Sequence, residues 1–226
     1  MKIEILHLIE GAKKAEGLTV VIDVFRAYSL ECYLLSRGAE KIIPVGDKEK
    51  AYKLKKENPD YILAGERHGE ILPGFDMGNS PSNIIKNING KTIIHTTSAG
   101  TQGIANAVNA DEILGCALVN AKATAEYIKF KNPEKVSLVC MGLEALKEAE
   151  EDTLCANYIK SLLNNTRFDL ENEIKKLKFT TGAKFFDETQ AAVFPEEDFH
   201  MCTKADIFSF ALRFNKENGE ITRYDL

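Results

Sequence analysis

The sequence LTVVIDVFRAYSLECYLLSRG, residues 18–38, contains the pattern on which the fold prediction rests. Residues 18–24 form an apolar run rich in Val and Ile that does not alternate strictly with polar residues. Such a run is typical of a central strand that is covered on both faces. Residues 29–37 are compatible with a helix, and Gly38 is an ordinary signal for its end. The stretch therefore predicts a buried strand that is followed directly by a helix.

The same succession of strand and helix recurs along the first 141 residues. Further strands are expected at residues 41–45, 61–64, 92–96, 112–116 and 135–141. Helix-compatible stretches lie between them, at residues 48–57, 81–87, 101–109 and 121–131. Strands and helices that alternate with short connections predict an α/β fold with a largely parallel sheet.

The chain changes character after residue 142. Helices are predicted at residues 144–165 and 170–178, followed by a terminal hairpin or edge strand from residues 206–214 and 220–224. The apolar stretch 207–214 suits either the core or the interface of a homo-oligomer. Because no linker rich in Pro, Gly or Ser divides the sequence, we predict a single domain over residues 1–226.

Composition narrows the classes of partner. The 226 residues include 29 basic and 34 acidic side chains, a formal net charge of −5. This balance argues against a nucleic-acid binder but leaves a small anionic substrate open. Five scattered cysteines without a CxxC pair argue against a disulfide framework or a zinc site. The first ten residues lack the apolar run of a signal peptide and no segment resembles a membrane span, so a cytoplasmic protein is expected.

Loops that follow predicted strands carry the candidate chemistry, because ligands of open α/β sheets bind beyond the carboxyl ends of strands. The first loop contains Asp23, a nucleophile or hard-metal ligand, and Arg26, which can bind an oxyanion. Its alternative interpretation is a helix cap with a solvated arginine. The second loop places Glu66, Arg67 and His68 between two glycines, and its alternative is a polar turn.

The third loop reads GFDMGNSP, residues 74–81. Ser80 and Pro81 are typical of the start of a helix, whereas Asp76 and Asn79 offer oxygen ligands or hydrogen bonds. A capped helix explains Ser80 and Pro81 but leaves Asp76 without an explanation. We therefore expect Asp76→Asn to lose most of any Mg²⁺-dependent activity.

Two further segments complete the candidate set. The fourth loop supplies hydroxyl groups for a phosphate, from Thr97, Ser98 and Thr101, although it lacks the GxxxxGK[ST] pattern of a P-loop. Asp152 lies in an acidic helix start, where it either complements the helix dipole or serves a metal ion. Carboxylates for Mg²⁺ together with donors for phosphate predict metal-assisted hydrolysis of a phosphate ester. A haloacid-dehalogenase-type phosphatase is excluded, since Phe25 stands where its second Asp is needed.

Five segments in this order carry a family resemblance: VIDVFRA (21–27), AGER (64–67), GFDMGNSP (74–81), TTSAGT (96–101) and EDTLCA (151–156). Over residues 18–165 the chain resembles the 2-phosphosulfolactate phosphatase family, magnesium-dependent enzymes associated with coenzyme M biosynthesis. The resemblance implies a three-layer α/β/α fold with a mixed, largely parallel central sheet. It also implies Mg²⁺ as cofactor and hydrolysis of 2-phospho-3-sulfolactate to 3-sulfolactate and phosphate.

The resemblance further implies roles for the candidate residues. Mg²⁺ would be held, or the attacking water activated, by carboxylates: Asp23, Glu66, Asp76 and Asp152. Substrate would be bound by a second group: Arg26, Arg67, Asn79, Ser80, Thr97, Ser98 and Thr101. Attack by water and attack by Asp23 itself both remain open.

The chain departs from the family pattern at Tyr28, His68 and Ala99, which lie on the expected substrate side. These departures keep two alternatives open. One is a divergent paralogue that acts on another small anionic phosphoester, and the other is a non-catalytic protein that binds anions.

Overall fold

Ten strands form one mixed sheet in the computed structural model, which describes residues 1–226. The strands are β1 (Lys2–His7), β2 (Gly17–Ile22), β3 (Lys41–Pro44), β4 (Ile62–Arg67), β5 (Glu70–Ile71), β6 (Thr92–Thr96), β7 (Ala110–Cys116), β8 (Lys135–Cys140), β9 (Phe210–Asn215) and β10 (Glu220–Asp225). The helices are α1 (Leu8–Lys14), α2 (Ala27–Ser36), α3 (Lys48–Glu57), α4 (Gly100–Asn106), α5 (Ala121–Lys131), α6 (Glu150–Asn164), α7 (Leu170–Leu177) and α8 (Glu196–Thr203). The α/β fold with a mixed, largely parallel sheet is thus confirmed, and it is consistent with three α/β/α layers.

The order of the strands is β1-β8-β2-β7-β9-β10-β3-β6-β4-β5. The first four strands are mutually parallel, and so are β3, β6 and β4. Between these two groups lies the hairpin β9–β10, which is antiparallel to both of its neighbours and within itself. Three antiparallel steps in succession mean that the two parallel groups run in opposite directions.

The central strands are buried on both faces, which explains why their sequences do not alternate. Val20, Val21 and Ile22 in β2 are fully buried, as are Ile93 and Ile94 in β6. Helices cover both faces of such a sheet, so that neither face selects polar residues. The bulk of the core is one cluster that continues across the sheet into the packed helices.

Of the two alternatives for the C-terminal strands, a hairpin or an edge strand, the structure shows the hairpin. Phe210, Ala211 and Leu212 in β9 are buried, and so is Ile221 in β10, because this hairpin fills the middle of the sheet. The apolar stretch that suited either core or interface therefore supplies the core.

Two predicted helices differ from the structure. Residues 81–87 contain only a short 3₁₀ turn, Pro81–Asn83. The helix expected at residues 144–165 begins at Glu150, because the chain before it forms a loop in which Glu144 and Ala145 adopt positive φ angles. The elements β1, α1, β5 and α8 were not predicted. All helices are too short or too polar to cross a membrane.

Candidate active site

A cleft of about 280 Å³ opens where four loops meet. They follow β2, β4, β6 and β8, and the first turn of α6 closes the wall beside the last of them. The two parallel groups of strands run in opposite directions, so a shared sheet edge does not bring these loops together. Instead, residues 97–99 connect the end of β6 to the start of α4 beside Asp23, and α4 then packs on β2 through Gly103 and Val21.

Gly100, the first residue of α4, sets how closely the loops approach each other. A Cβ atom at this position would lie 2.8 Å from the Cβ of Ala27 and 3.0 Å from Oδ2 of Asp23. Both distances are shorter than normal contacts between such atoms. A glycine is therefore required for the fourth loop, which carries Thr97, Ser98 and Thr101 and is called the hydroxyl loop below, to lie directly against Asp23.

Asp23 is buried at the end of β2, where its Oδ1 accepts a hydrogen bond from the Ala27 N–H at 3.1 Å. Burial, together with the nearby negative charges of Glu66 and Glu151, raises the pKa of this carboxyl to about 7. The peptide bond between Phe25 and Arg26, just beyond it, is cis. Asp23 is thus a carboxylate whose charge the apo protein stabilises poorly.

Glu66 joins two of the loops through its carboxylate. Oε1 accepts from the Ser98 N–H at 3.0 Å, and Oε2 accepts from the Gly69 N–H at 2.6 Å. The preceding Gly65 has a φ of 155°, and a Cβ there would collide with the Thr96 carbonyl. The close approach of β4 to β6 therefore fixes where the Glu66 side chain begins.

Asp152 joins the other two loops to α6. Its Oδ1 accepts from the Val24 N–H and its Oδ2 from the Gly142 N–H, each at 2.8 Å. Burial raises the pKa of Asp152 well above its usual value, with the charges of Glu151 and Asp23 adding to the effect. Neighbouring Glu151 is also buried, and burial raises its pKa, against a smaller lowering effect of the Thr181 hydroxyl. Its Oε2 has no hydrogen-bond partner within 3.5 Å.

The structure thus brings Asp23, Glu66 and Asp152 to one cleft, as expected, and adds Glu151, which sequence reasoning missed. Glu151 was hidden because an acidic residue in the first turn of a helix has a sufficient explanation in the helix dipole. No three carboxylate, histidine or cysteine side chains converge closely enough to form a ready-made metal cage.

Arg26 lines the cleft, but its charge is already paired. Nη1 donates to Oδ2 of Asp198 at 2.7 Å and to the Val193 carbonyl at 2.8 Å. Asp198 is fully buried and also accepts from the Ser80 hydroxyl and the Ser82 N–H. The structure therefore places Arg26 in the cleft with its Nη1 bound to Asp198, and its binding of an oxyanion stays a prediction. Ser80 is also bound to Asp198 and does not line this cleft.

Arg67 does not line the cleft either. Its Nη2 donates to the Gly46 carbonyl and to the Thr96 hydroxyl, and its Nη1 donates to the Glu66 carbonyl. These contacts brace β4 against β6. The structure therefore places Arg67 outside the cleft, with both Nη atoms bonded within the protein, and its role in binding substrate stays a prediction.

Asp76 is also placed away from the cleft, contrary to expectation. It is exposed and lies in a neighbouring groove, where Oδ2 accepts from the Leu63 N–H at 2.8 Å and lies 3.3 Å from Lys55 Nζ. The GFDMGNSP turn thus directs this carboxylate toward the start of β4. Asp76 therefore stabilises the turn and does not lie in the cleft with Asp23, Glu66 and Asp152.

We now expect Asp76→Asn to retain most of the activity, since the amide oxygen can still accept from the Leu63 N–H. Phosphate release and thermal unfolding of the variant measure both consequences. Asp76→Ala, which removes the acceptor, should be destabilised by about 1 kcal/mol. A large loss of kcat in Asp76→Asn with an unchanged melting temperature would contradict this placement.

The hydroxyl loop contributes one of its three predicted groups. Thr97 and Thr101 bond to each other, through Thr101 N–H to Thr97 Oγ1 at 3.2 Å and Thr101 Oγ1 to the Thr97 carbonyl at 3.0 Å. Neither lines the cleft. Ser98 does, and its buried hydroxyl has no partner, so it is available to a ligand.

Asn79 lines the cleft at the end of a buried polar chain. Its Oδ1 lies 3.0 Å from Nε2 of His95, whose Nδ1 lies 2.7 Å from Oε1 of Glu31. With its oxygen engaged by His95, the amide nitrogen of Asn79 is the group left for an anion.

The three departures from the family pattern have different placements. Tyr28 is buried below the loop and donates to the Gly100 carbonyl at 2.9 Å. Ala99 and His68 line the cleft, and His68 Nδ1 lies 2.6 Å from Oε1 of Glu144 across its mouth. Lys184, which sequence reasoning missed because residues 183–186 match no motif, also lines it.

The chain is similar over most of its length to proteins that share one name. A family model described as 2-phosphosulpholactate phosphatase matches residues 3–217. A relative from Bacillus subtilis, named probable 2-phosphosulfolactate phosphatase, is 31% identical over 90% of this chain and 89% of its own length. Proteins of the same name from Carboxydothermus hydrogenoformans (38% identical; 87% and 79% covered) and Thermotoga petrophila (36%; 84% and 85%) also match. With the motifs in order and the match extending over nearly all residues, the chain belongs to the 2-phosphosulfolactate phosphatase family.

Proposed function

We propose that this protein is a magnesium-dependent phosphatase that converts 2-phospho-3-sulfolactate to 3-sulfolactate and phosphate, a reaction of the coenzyme M biosynthesis type. The proposal rests mainly on the cleft, which brings together four buried carboxylates: Asp23, Glu66, Glu151 and Asp152. Family membership supplies the identity of the substrate.

The residues of the cleft fit Mg²⁺. All four buried carboxylates are hard oxygen donors, and Oε2 of Glu151, which has no hydrogen-bond partner, can coordinate a cation. Glu66 and Asp152 each use both carboxylate oxygens on backbone N–H groups, so we assign Asp23 and Glu151 to the metal. No three such side chains form a ready-made cage, so waters and substrate oxygens would have to supply the remaining ligands of the ion. Bound there, Mg²⁺ would neutralise the carboxylates and polarise the phosphoryl group.

The protein's own groups position the substrate around that centre. The free Ser98 hydroxyl and the Asn79 amide are donors for phosphoryl oxygens, because neither is fully engaged within the fold. Asp23 either attacks phosphorus or receives the proton of the attacking water. The two routes differ at a chiral phosphoryl group, since a covalent Asp23 intermediate gives retention and direct attack by water gives inversion.

Phosphate release from 2-phospho-3-sulfolactate, measured with Mg²⁺ and with a chelator, tests the proposal. We expect release that depends on the metal. Turnover of a different phosphate monoester in preference to this one would establish a divergent paralogue. Binding of small anions without hydrolysis of any monoester would establish the non-catalytic alternative.

Mg²⁺ should also stabilise the fold, because it removes repulsion among the buried carboxylates. At a concentration of 100 times its dissociation constant the expected gain is about 2.7 kcal/mol. The rise in melting temperature should be larger at pH 8 than at pH 5, since protons compete for the ligands. Glu151→Gln should weaken the response, whereas Glu171→Gln, on exposed α7, should not. Equal shifts with Mg²⁺ and with NaCl of matched ionic strength would refute a specific site.

A further inference from the structure

Lys184 is the one basic side chain of the cleft that forms no salt bridge, although the effect of burial, which lowers its pKa, is partly offset by the negative charge of nearby Glu151. Three basic residues line the cleft: Arg26, His68 and Lys184. Arg26 is paired with Asp198, and His68 with Glu144. By contrast, the Lys184 side chain donates no hydrogen bond, and no carboxylate oxygen lies within 4.0 Å of its Nζ.

Aromatic rings hold the Lys184 side chain in place. Its Nζ lies 5.0 Å from the ring centre of Phe194, 5.4 Å from that of Phe185 and 6.0 Å from that of Phe25. Contacts of this kind attract a cation, but they provide neither a hydrogen-bond acceptor nor a counter-charge. The ammonium group is therefore positioned with its donors unused.

The backbone below Lys184 is also well anchored. It lies on the 3₁₀ turn Ala183–Phe186, in which Phe185 is buried. A Cβ atom at the preceding Gly182 would come within 2.5 Å of the Phe199 ring, so the turn packs tightly on α8. Burial lowers the pKa of Lys184, which agrees with an ammonium group partly withdrawn from water. Binding an anion there needs little ordering of the side chain.

The proposed substrate carries anionic groups that require different environments. Its phosphate would be met by the metal, Ser98 and Asn79, as argued above. The sulfonate, on the carbon next to the phosphoester, would need a cationic group outside that centre. An ammonium group against aromatic rings is the remaining complementary position in the cleft.

We propose that Lys184 binds the sulfonate of the substrate and thereby sets the preference for sulfonated over non-sulfonated phosphoesters. This inference rests on the proposed function and deepens it, since neither the motifs nor the names of the relatives assign the residue. It makes Lys184 a specificity-determining residue.

A matched pair of substrates tests the assignment. 2-Phospholactate has the carboxylate and the phosphoester of 2-phospho-3-sulfolactate but carries hydrogen in place of the sulfonate. We expect Lys184→Met to lower the ratio of kcat/KM for the sulfonated over the non-sulfonated compound by about 10- to 100-fold, the value of one charge-assisted hydrogen bond. The change should lie mainly in KM, and Lys184→Arg should restore part of the ratio.

An unchanged ratio would overturn the inference, whether kcat/KM falls equally for both substrates or for neither. If Lys184 only offsets the charge of Glu151, then Lys184→Met would instead tighten Mg²⁺ binding and leave the ratio intact. The metal dissociation constant, measured by calorimetry on both proteins, detects that role.

A binding experiment separates this inference from the proposed function. If the wild-type protein releases no phosphate from either compound, the proposed function fails. Calorimetric titration with 3-sulfolactate and with lactate then still tests Lys184 in the absence of turnover. Weaker binding of 3-sulfolactate by Lys184→Met, with lactate as the reference, supports the assignment, and equal binding by both proteins overturns it.

Discussion

Asp23→Asn is expected to lower kcat/KM for phosphate release by about 100- to 10,000-fold, the range for a lost acid–base group. Asp23 is the buried carboxylate at the end of β2, and Gly100 allows the hydroxyl loop to lie against it. As nucleophile, base or metal ligand, it needs a negative oxygen that an amide does not supply. Steady-state phosphate release with saturating Mg²⁺ measures the loss.

Asp76→Asn is the matched control, because it makes the same chemical change on an exposed carboxylate in the neighbouring groove. Equal activities for the two variants would show that the cleft is not the catalytic site. Circular dichroism of both proteins establishes that each variant is folded.

Asp23 should also make the stability of the metal-free protein depend on pH. Its pKa is about 7 when folded, against about 3.9 for an unperturbed Asp, so the folded state retains a proton that the unfolded state has released. The contribution of the Asp23 proton to the free energy of unfolding is therefore complete below about pH 4 and is lost as the pH rises to about 7. Relative to Asp23→Asn, the wild type should therefore lose a few kcal/mol between pH 4 and pH 8. Parallel stability profiles in denaturant would contradict the raised pKa.

Asp198→Ala is expected to lower the free energy of unfolding by about 3–5 kcal/mol, the cost of leaving one partner of a buried ion pair alone. The side chains of Arg26 and Asp198 are almost completely buried, at 3% and 0% exposure. The substitution also leaves the Ser82 N–H and the Ser80 hydroxyl without their acceptor. Chemical denaturation measures the loss.

The double variant Arg26→Met with Asp198→Leu provides the control. Replacing both members of a buried pair by apolar side chains of similar size often costs little, so this variant should recover part of the stability that Asp198→Ala loses. It should not recover all of it, because Ser80 and Ser82 still lack an acceptor. A double variant less stable than Asp198→Ala would show that the pairing of charges is not the main contribution.

The strands and most helices of the first 141 residues could be predicted because their signals are local. Helix 48–57 was predicted with its observed bounds, since Asp47 caps it and Asn58-Pro59 follows it. The position of the C-terminal hairpin could not be predicted in this way. Which strands a hairpin joins depends on pairings between residues far apart in the chain, such as Ile221 with Ile42.

The same contrast between local signals and contacts of distant residues applies to the site. Asp23 and Glu66 could be found because each lies at the end of a predicted strand, and Asp152 belongs to a motif. Asp198 could not be found, because its partner Arg26 is 172 residues away. Asp76 shows the converse, since the motif located the residue, but the turn geometry decided where its side chain points.

The hairpin β9–β10 also imposes an order on the assembly of the sheet. A chain emerges from the ribosome N-terminal end first, so β7 and β3 are both synthesised before the strands that separate them. Until those strands arrive, β7 and β3 each present an open edge, the usual template for pairing with another molecule. One group of strands carries Asp23 and the other carries Glu66. Insertion of the hairpin therefore covers two aggregation-prone edges and joins the two halves of the cleft in the same step.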